Sequence, residues 1–212
     1  SAYAKLRDDR AALATAFVKS ARLIMVIGLP FYLGLAATAQ PLVEVVLGPK
    51  WREAAPIVHW LALAMPMMTL QALYAPASDA CGRPGISAGN GAAGAVLLPA
   101  AFLAGVHWGV MGLIAAWFAA YPFYLAISTW RTLPVIGVRL RALTAAIAPS
   151  AIAAVAMALI VTLVDRLLPA MPALPRLGLL AAVGMLAYAG WLWSFARGTL
   201  NEAVATIRAR KA

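Results

Sequence analysis

The apolar positions of this chain run in long blocks rather than in alternation, and short clusters of charge separate the blocks. From Leu23 to Ala39 there are 17 residues without a charge. Lys19 and Arg22 just before them can extend back to an interface and lengthen the block, which predicts a first helix over 16–39. Later blocks predict helices at about 56–76, 85–106, 108–130, 142–164 and 177–196. Each carries the ~20 apolar residues that a bilayer core requires. The pattern therefore predicts an all-α membrane protein, a six-transmembrane-helix bundle forming a single lobe over residues 1–212. Residues 1–22 read as an amphipathic surface helix, with Leu6, Leu13, Phe17 and Val18 set among Lys5, Arg7, Asp8, Asp9, Arg10, Lys19 and Arg22. The tail 197–212 is again amphipathic and basic.

The connections carry the chain's polarity. Between the first two blocks, Glu44, Lys50, Arg52 and Glu53 crowd around a break at Gly48-Pro49. This predicts a short interfacial helix over Pro41–Gly48, with Val43, Val46 and Leu47 facing lipid, and Trp51 at headgroup level. Pro56 then opens the next span at a position that tolerates proline. A turn with Asp79, Arg83 and Pro84 follows the second block, and a basic linker with Arg131, Arg139 and Arg141 follows the fourth. Asp165 and Arg166 read as an interfacial pair at the end of the fifth. Pro30, Pro66, Pro99, Pro122 and Pro149 sit inside helices one to five, where each removes a backbone hydrogen bond and bends its helix. Bent helices suit a protein that opens and closes around a midplane cavity. Gly85, Gly89, Gly91 and Gly94 offer a small-residue face for close helix packing.

Composition agrees with a lipid solvent. The chain is 64% apolar and 11% charged, against about 25% charged residues in a soluble domain. Its net charge is +10, from 17 Lys and Arg against 7 Asp and Glu. The basic residues stand between apolar runs and not on one aromatic-laced face, which argues for anionic headgroups and against nucleic acid. Only Lys50, Arg52, Arg166 and Arg176 fall on one side of the predicted topology, while the other 13 of the 17 fall on the opposite side. That asymmetry predicts both ends, including the tail, in the cytoplasm and Pro41–Pro56 outside. The single cysteine, Cys81, permits neither an internal disulfide nor a cysteine metal cluster.

Catalytic patterns are missing: there is no HExxH, GxSxG or P-loop and no acidic pair with metal spacing. The expectation is no enzyme and no cofactor. Five residues stand out as candidates for binding substrate. Lys19 and Arg22, one turn apart, share a helix face and either anchor at the interface or bind an anionic group such as pyrophosphate. His59 is either an interfacial histidine beside Trp60 or a protonatable cavity residue. Gln71, with Thr69 and Tyr74 nearby, and Asn90 are costly in lipid and should face the bundle interior, touching substrate or joining helices.

A resemblance adds to this reading. Pro41, Leu42, Val43, Leu47, Gly48, Trp51, Ala54, Leu61 and Ala62, followed by Gly82, Arg83 and Pro84, resemble the pattern of bacterial Wzx-type polysaccharide flippases within the multidrug/oligosaccharidyl-lipid/polysaccharide exporter superfamily. KLRDDRAAL looks like the loop entering the second half of such proteins, and GVMGLIAAW after His107 is similar to a later helix start. The likeness covers most of residues 1–130 in character, with only hydropathy and helix count beyond. These proteins have about twelve spans in two halves, so the resemblance implies the C-terminal half, spans seven to twelve. It implies alternating-access flipping of undecaprenyl-pyrophosphate-linked oligosaccharide across the bacterial inner membrane for O-antigen, capsule or exopolysaccharide, with Lys19 and Arg22 available for the pyrophosphate. Implied partners are the lipid-linked oligosaccharide, membrane lipids, a missing N-terminal six-helix half, and polysaccharide polymerase and assembly proteins. The alternatives are a multidrug exporter of the same fold, which the scarcity of intramembrane acids disfavours, and a non-transporting membrane scaffold.

Overall fold

Helices are the only way for such apolar segments to satisfy their backbone without water, and the computed structural model, which describes residues 10–195, contains no strand among those residues. Among the described residues, eight α-helices follow one another: α1 Arg10–Ala37, α2 Ala39–Val46, α3 Ala55–Gln71, α4 Tyr74–Ala80, α5 Pro84–Gly105, α6 Gly109–Ile136, α7 Leu140–Leu167 and α8 Ala173–Phe195. Single 3₁₀ helices at Pro49–Ala54 and Val106–Trp108 lie between α2 and α3 and between α5 and α6. Among the described residues, five continuous stretches are long and apolar enough to cross a membrane; one, Pro84–Ile136, spans 53 residues. At 1.5 Å per residue it would reach about 80 Å, far beyond the ~30 Å hydrocarbon core, so it counts as two spans. The chain does fold back within it, at Val106–Trp108, where Gly109 takes φ 65°. Six spans result, as the sequence pattern predicts.

Several boundaries differ from the sequence expectation. The surface helix and the first span are one helix from Arg10; the expected surface positions Leu6 and Lys5–Asp9, and the tail 197–212, lie outside the described residues. At 28 residues α1 is about 42 Å long, so it extends past the hydrocarbon core. It ends at Ala37 because Pro41 has no N–H for the Ala37 carbonyl. The interfacial helix is α2, but Val43 on it is buried, while Val46 and Leu47 are exposed as expected. The predicted basic linker is mostly helix: α6 runs through Arg131 and past Pro134, and stops at Gly137, whose φ of 80° suits glycine. The Gly137 and Val138 N–H groups both donate to the Leu133 carbonyl there. Pro30, Pro66, Pro99, Pro122 and Pro149 all lie inside helices.

The chain divides into two compact units, one made of residues up to Ile24 with Ala64–Ala146, the other of Met25–Leu63 with the residues from Ile147 on. In the first unit α5 and α6 form a tight antiparallel hairpin. A Cβ on Gly105 would sit 2.5 Å from the Gly112 carbonyl oxygen, and one on Gly112 would run into the Gly105 carbonyl. Small residues here let two backbones approach closely, the usual basis of helix association in membranes. Gly94 lies under the Tyr124 ring and Gly89 under the Arg131 guanidinium, whereas Gly85 and Gly91 face open space. The small-residue face is thus used at two of its four positions. In the second unit Met157, Val161 and Leu180 are buried together, with Val164 and Val183 packed against them. Val26, Ala153 and Leu192 form a neighbouring cluster.

Candidate functional site

In the first unit, three polar bonds tie the neighbouring helices to one face of α6. Ser128 and Thr132 are fully buried and lie one turn apart. The Gln71 amide donates to Ser128 Oγ at 2.8 Å, and the Asn90 amide donates to Thr132 Oγ1 at 3.1 Å. Thr129 spends its proton on the Leu125 carbonyl, so the Tyr74 hydroxyl is the donor in its 2.7 Å bond to Thr129 Oγ1. Tyr74 also stacks on Phe17. Gln71 and Asn90 therefore join helices. Gln71 Oε1, Asn90 Oδ1 and Ser78 Oγ are buried and accept or donate no hydrogen bond among the described residues. An unpaired buried polar atom costs about 1–3 kcal/mol. All the groups in this network are neutral, so it can hold hydroxyls and amides but offers no strong acid or base.

Lys19 is exposed and Arg22 half-buried on α1, in this same unit. Asp79 lies in the last turn of α4, not in a loop, and its Oδ1 accepts the Ser87 hydroxyl at 2.6 Å.

His59 belongs to the second unit, apart from the other four candidates. Its Nδ1 lies 2.8 Å from the Ala36 carbonyl oxygen. A carbonyl only accepts, so Nδ1 carries a proton and is the donor in this bond. Ala36 is in the last turn of α1, where carbonyls lack helical partners; His59 supplies one and joins α3 to α1. The same ring meets Trp60 edge-on.

Around His59 the structure gathers residues that the sequence pattern did not connect: Gln40, Arg52, Thr162 and Asp165, with small residues, line one cavity of about 460 Å³. Arg52 grips Glu44 with two bonds, Nε to Oε1 at 2.8 Å and Nη2 to Oε2 at 3.2 Å. That guanidinium holds the Glu44 carboxyl below the usual carboxylate range, aided by the Gln40 amide. Asp165 does not pair with Arg166: its Oδ1 accepts Arg176 Nε at 2.7 Å. Adjacent residues on a helix point about 100° apart, so Arg166 turns away and is exposed, while Arg176 returns across the Pro-rich loop. The charge cluster around Gly48-Pro49 was visible in sequence; its meeting with α7 was not.

Fold and site define a polytopic all-α membrane protein with neutral polar contacts between its helices. Residues 1–56 match a family model described as "Polysaccharide biosynthesis protein", so this segment, α1 through the re-entry into α3, is similar to that family and supports a role in polysaccharide biosynthesis. No curated protein and no solved structure matches the chain significantly.

Proposed function

We propose that the chain is a six-helix lobe of a flippase that moves undecaprenyl-pyrophosphate-linked oligosaccharide across the bacterial inner membrane, as transport and not catalysis. The observation that carries this reading is the match of residues 1–56 to polysaccharide biosynthesis proteins on a chain with six spans. Proline-bent helices favour alternating access, since each missing backbone bond lets its helix flex. Both ends lie in the cytoplasm by the distribution of Lys and Arg. A second, N-terminal six-helix half completes the cavity, and Lys19 and Arg22 hold the pyrophosphate through charge-assisted hydrogen bonds. Polysaccharide polymerase and assembly proteins take up the product outside. The test is complementation: the full-length gene is introduced into a strain lacking its own oligosaccharide flippase, and surface glycan is measured. Restored glycan supports the reading; correctly inserted protein with no surface glycan removes it.

A further inference from the structure

The cavity beside His59 has a donor and acceptor set that selects a ligand class. Its charges are already matched: Glu44 with Arg52, and Asp165 with Arg176. A cation entering it would have to displace Arg176 from Asp165, and an anion would have to take Arg52 from Glu44. Each would leave a charge without its partner, a cost that balanced ion pairs avoid. What remains available mixes donors and acceptors. The Gln40 amide hydrogen not used by Glu44 and the spare N–H groups of Arg52 donate. The second Asp165 oxygen, the Gln40 carbonyl and Thr162 Oγ1 accept, since the Thr162 proton is spent on the Ala158 carbonyl at 2.8 Å, and the outer nitrogen of His59 adds a polar contact. A ligand that both donates and accepts from each of several closely spaced atoms fits this set, and neighbouring hydroxyls on a ring do that. The lining between the polar groups is Ala36, Ala39, Ala55 and Pro56, short side chains that leave room for a ring.

We propose that this cavity is a sugar-binding site, taking a neutral hydroxylated ring at the α1–α2–α3 end of the second unit, with Gln40, Arg52, His59, Thr162 and Asp165 as its hydrogen-bonding residues. The proposal rests on the transport reading for its source of sugar: the glycan head of the lipid-linked substrate. Binding there is through hydroxyls and is separate from any contact to the pyrophosphate.

The test uses the full-length protein in nanodiscs, with Cys81 and any other native cysteine changed to Ser and Pro56→Cys, on the exposed part of the cavity lining, to report on the cavity. A polar maleimide labels the new thiol, and isomaltotriose, sodium pyrophosphate and sodium chloride are compared as protectants. Isomaltotriose at about four times its Kd slows labelling by about fivefold, as 1 + [L]/Kd requires, and the two salts at equal ionic strength do not. Thr162→Val, which keeps the side-chain shape and removes one acceptor, weakens the protection. No protection by the trisaccharide, protection by pyrophosphate or sodium instead, or protection that ignores Thr162→Val, each overturns the site. Labelling needs no transport. Loss of protection with surface glycan still restored in cells rejects the site and keeps the transport reading. Protection retained with no glycan exported keeps the site and rejects that reading.

Discussion

The Tyr188 hydroxyl donates to the Val26 carbonyl oxygen at 2.7 Å. Val26 lies four residues before Pro30, so its carbonyl is the one that the proline leaves without a helical donor. A side chain 162 residues away thus supplies the bond that the proline removes, and it ties α8 to α1 within the second unit. Buried carbonyls in lipid have no water to turn to, so proline-bent membrane helices need such replacements.

Tyr188→Phe should therefore destabilise the protein by about 1 kcal/mol, in the range of hydrogen bonds between membrane helices. In a Pro30→Ala background the helix regains its own N–H, and Tyr188→Phe should cost close to nothing. A double-mutant cycle measured by unfolding in mixed detergent micelles reads the difference. Equal costs in both backgrounds would show that the tyrosine does not serve the proline's carbonyl.

The α5–α6 hairpin should be intolerant at one glycine and tolerant at another. Gly112→Ala places a methyl against the Gly105 backbone, which cannot swing aside, and should cost about 1–3 kcal/mol or more. Gly89→Ala meets only the end of the flexible Arg131 side chain and should stay within about 0.5 kcal/mol of the parent. Thermal unfolding in detergent compares them; similar losses at both positions would contradict the packing.

Ser128→Ala should destabilise by about 1 kcal/mol, because it leaves the Gln71 amide N–H buried beside an unpaired Oε1. Gln71→Leu in the same background removes both orphaned groups and should recover most of the loss. Unfolding midpoints of the single and double variants decide this; a double variant weaker than Ser128→Ala would count against the bond.

The Glu44–Arg52 pair carries a pH dependence with a definite sign. The folded carboxyl titrates below its ordinary 4.5, so its contribution is fully present above that value and fades as pH falls through the depressed folded pKa. Trp51, exposed next to Arg52 on the same 3₁₀ helix, should keep its fluorescence down to pH about 4.5 and change below it. Arg52→Gln should move that change upward. Since Arg52 is mostly exposed, added salt should weaken the effect.

How much of this was legible in the sequence depends on distance along the chain. The spans followed from composition, because an apolar block of a given length has one use in lipid. Helix ends were less legible. The pattern of charge puts the end of the fourth span at about 130, yet α6 passes Arg131 and Pro134 and ends only at Gly137, where the backbone turns left-handed. Asn90 and Gln71 could be placed in the interior from the cost of exposing them, but their partners Thr132 and Ser128 could not be named, since neither pairing has a local spacing. The cavity was least legible: His59 was visible, but Thr162 and Asp165 come about a hundred residues later and meet it only through the packing of α7. Asp165 looked paired to its neighbour Arg166, and only the geometry of a helix argues otherwise.

Arg22→Ala in the full-length protein should abolish glycan export and leave membrane insertion intact, if Arg22 holds the pyrophosphate. Normal surface glycan in that variant would take the residue out of the site.

The central claim is that this protein carries lipid-linked glycan across a membrane. The most direct measurement places polyprenyl-pyrophosphate-linked oligosaccharide in both leaflets of sealed proteoliposomes containing the full-length protein, and follows the fraction accessible to an external glycosidase. The account predicts that accessibility rises from half of the glycolipid to nearly all of it, and that protein-free liposomes stay at half. A plateau at half in the presence of correctly folded, inserted protein would contradict it.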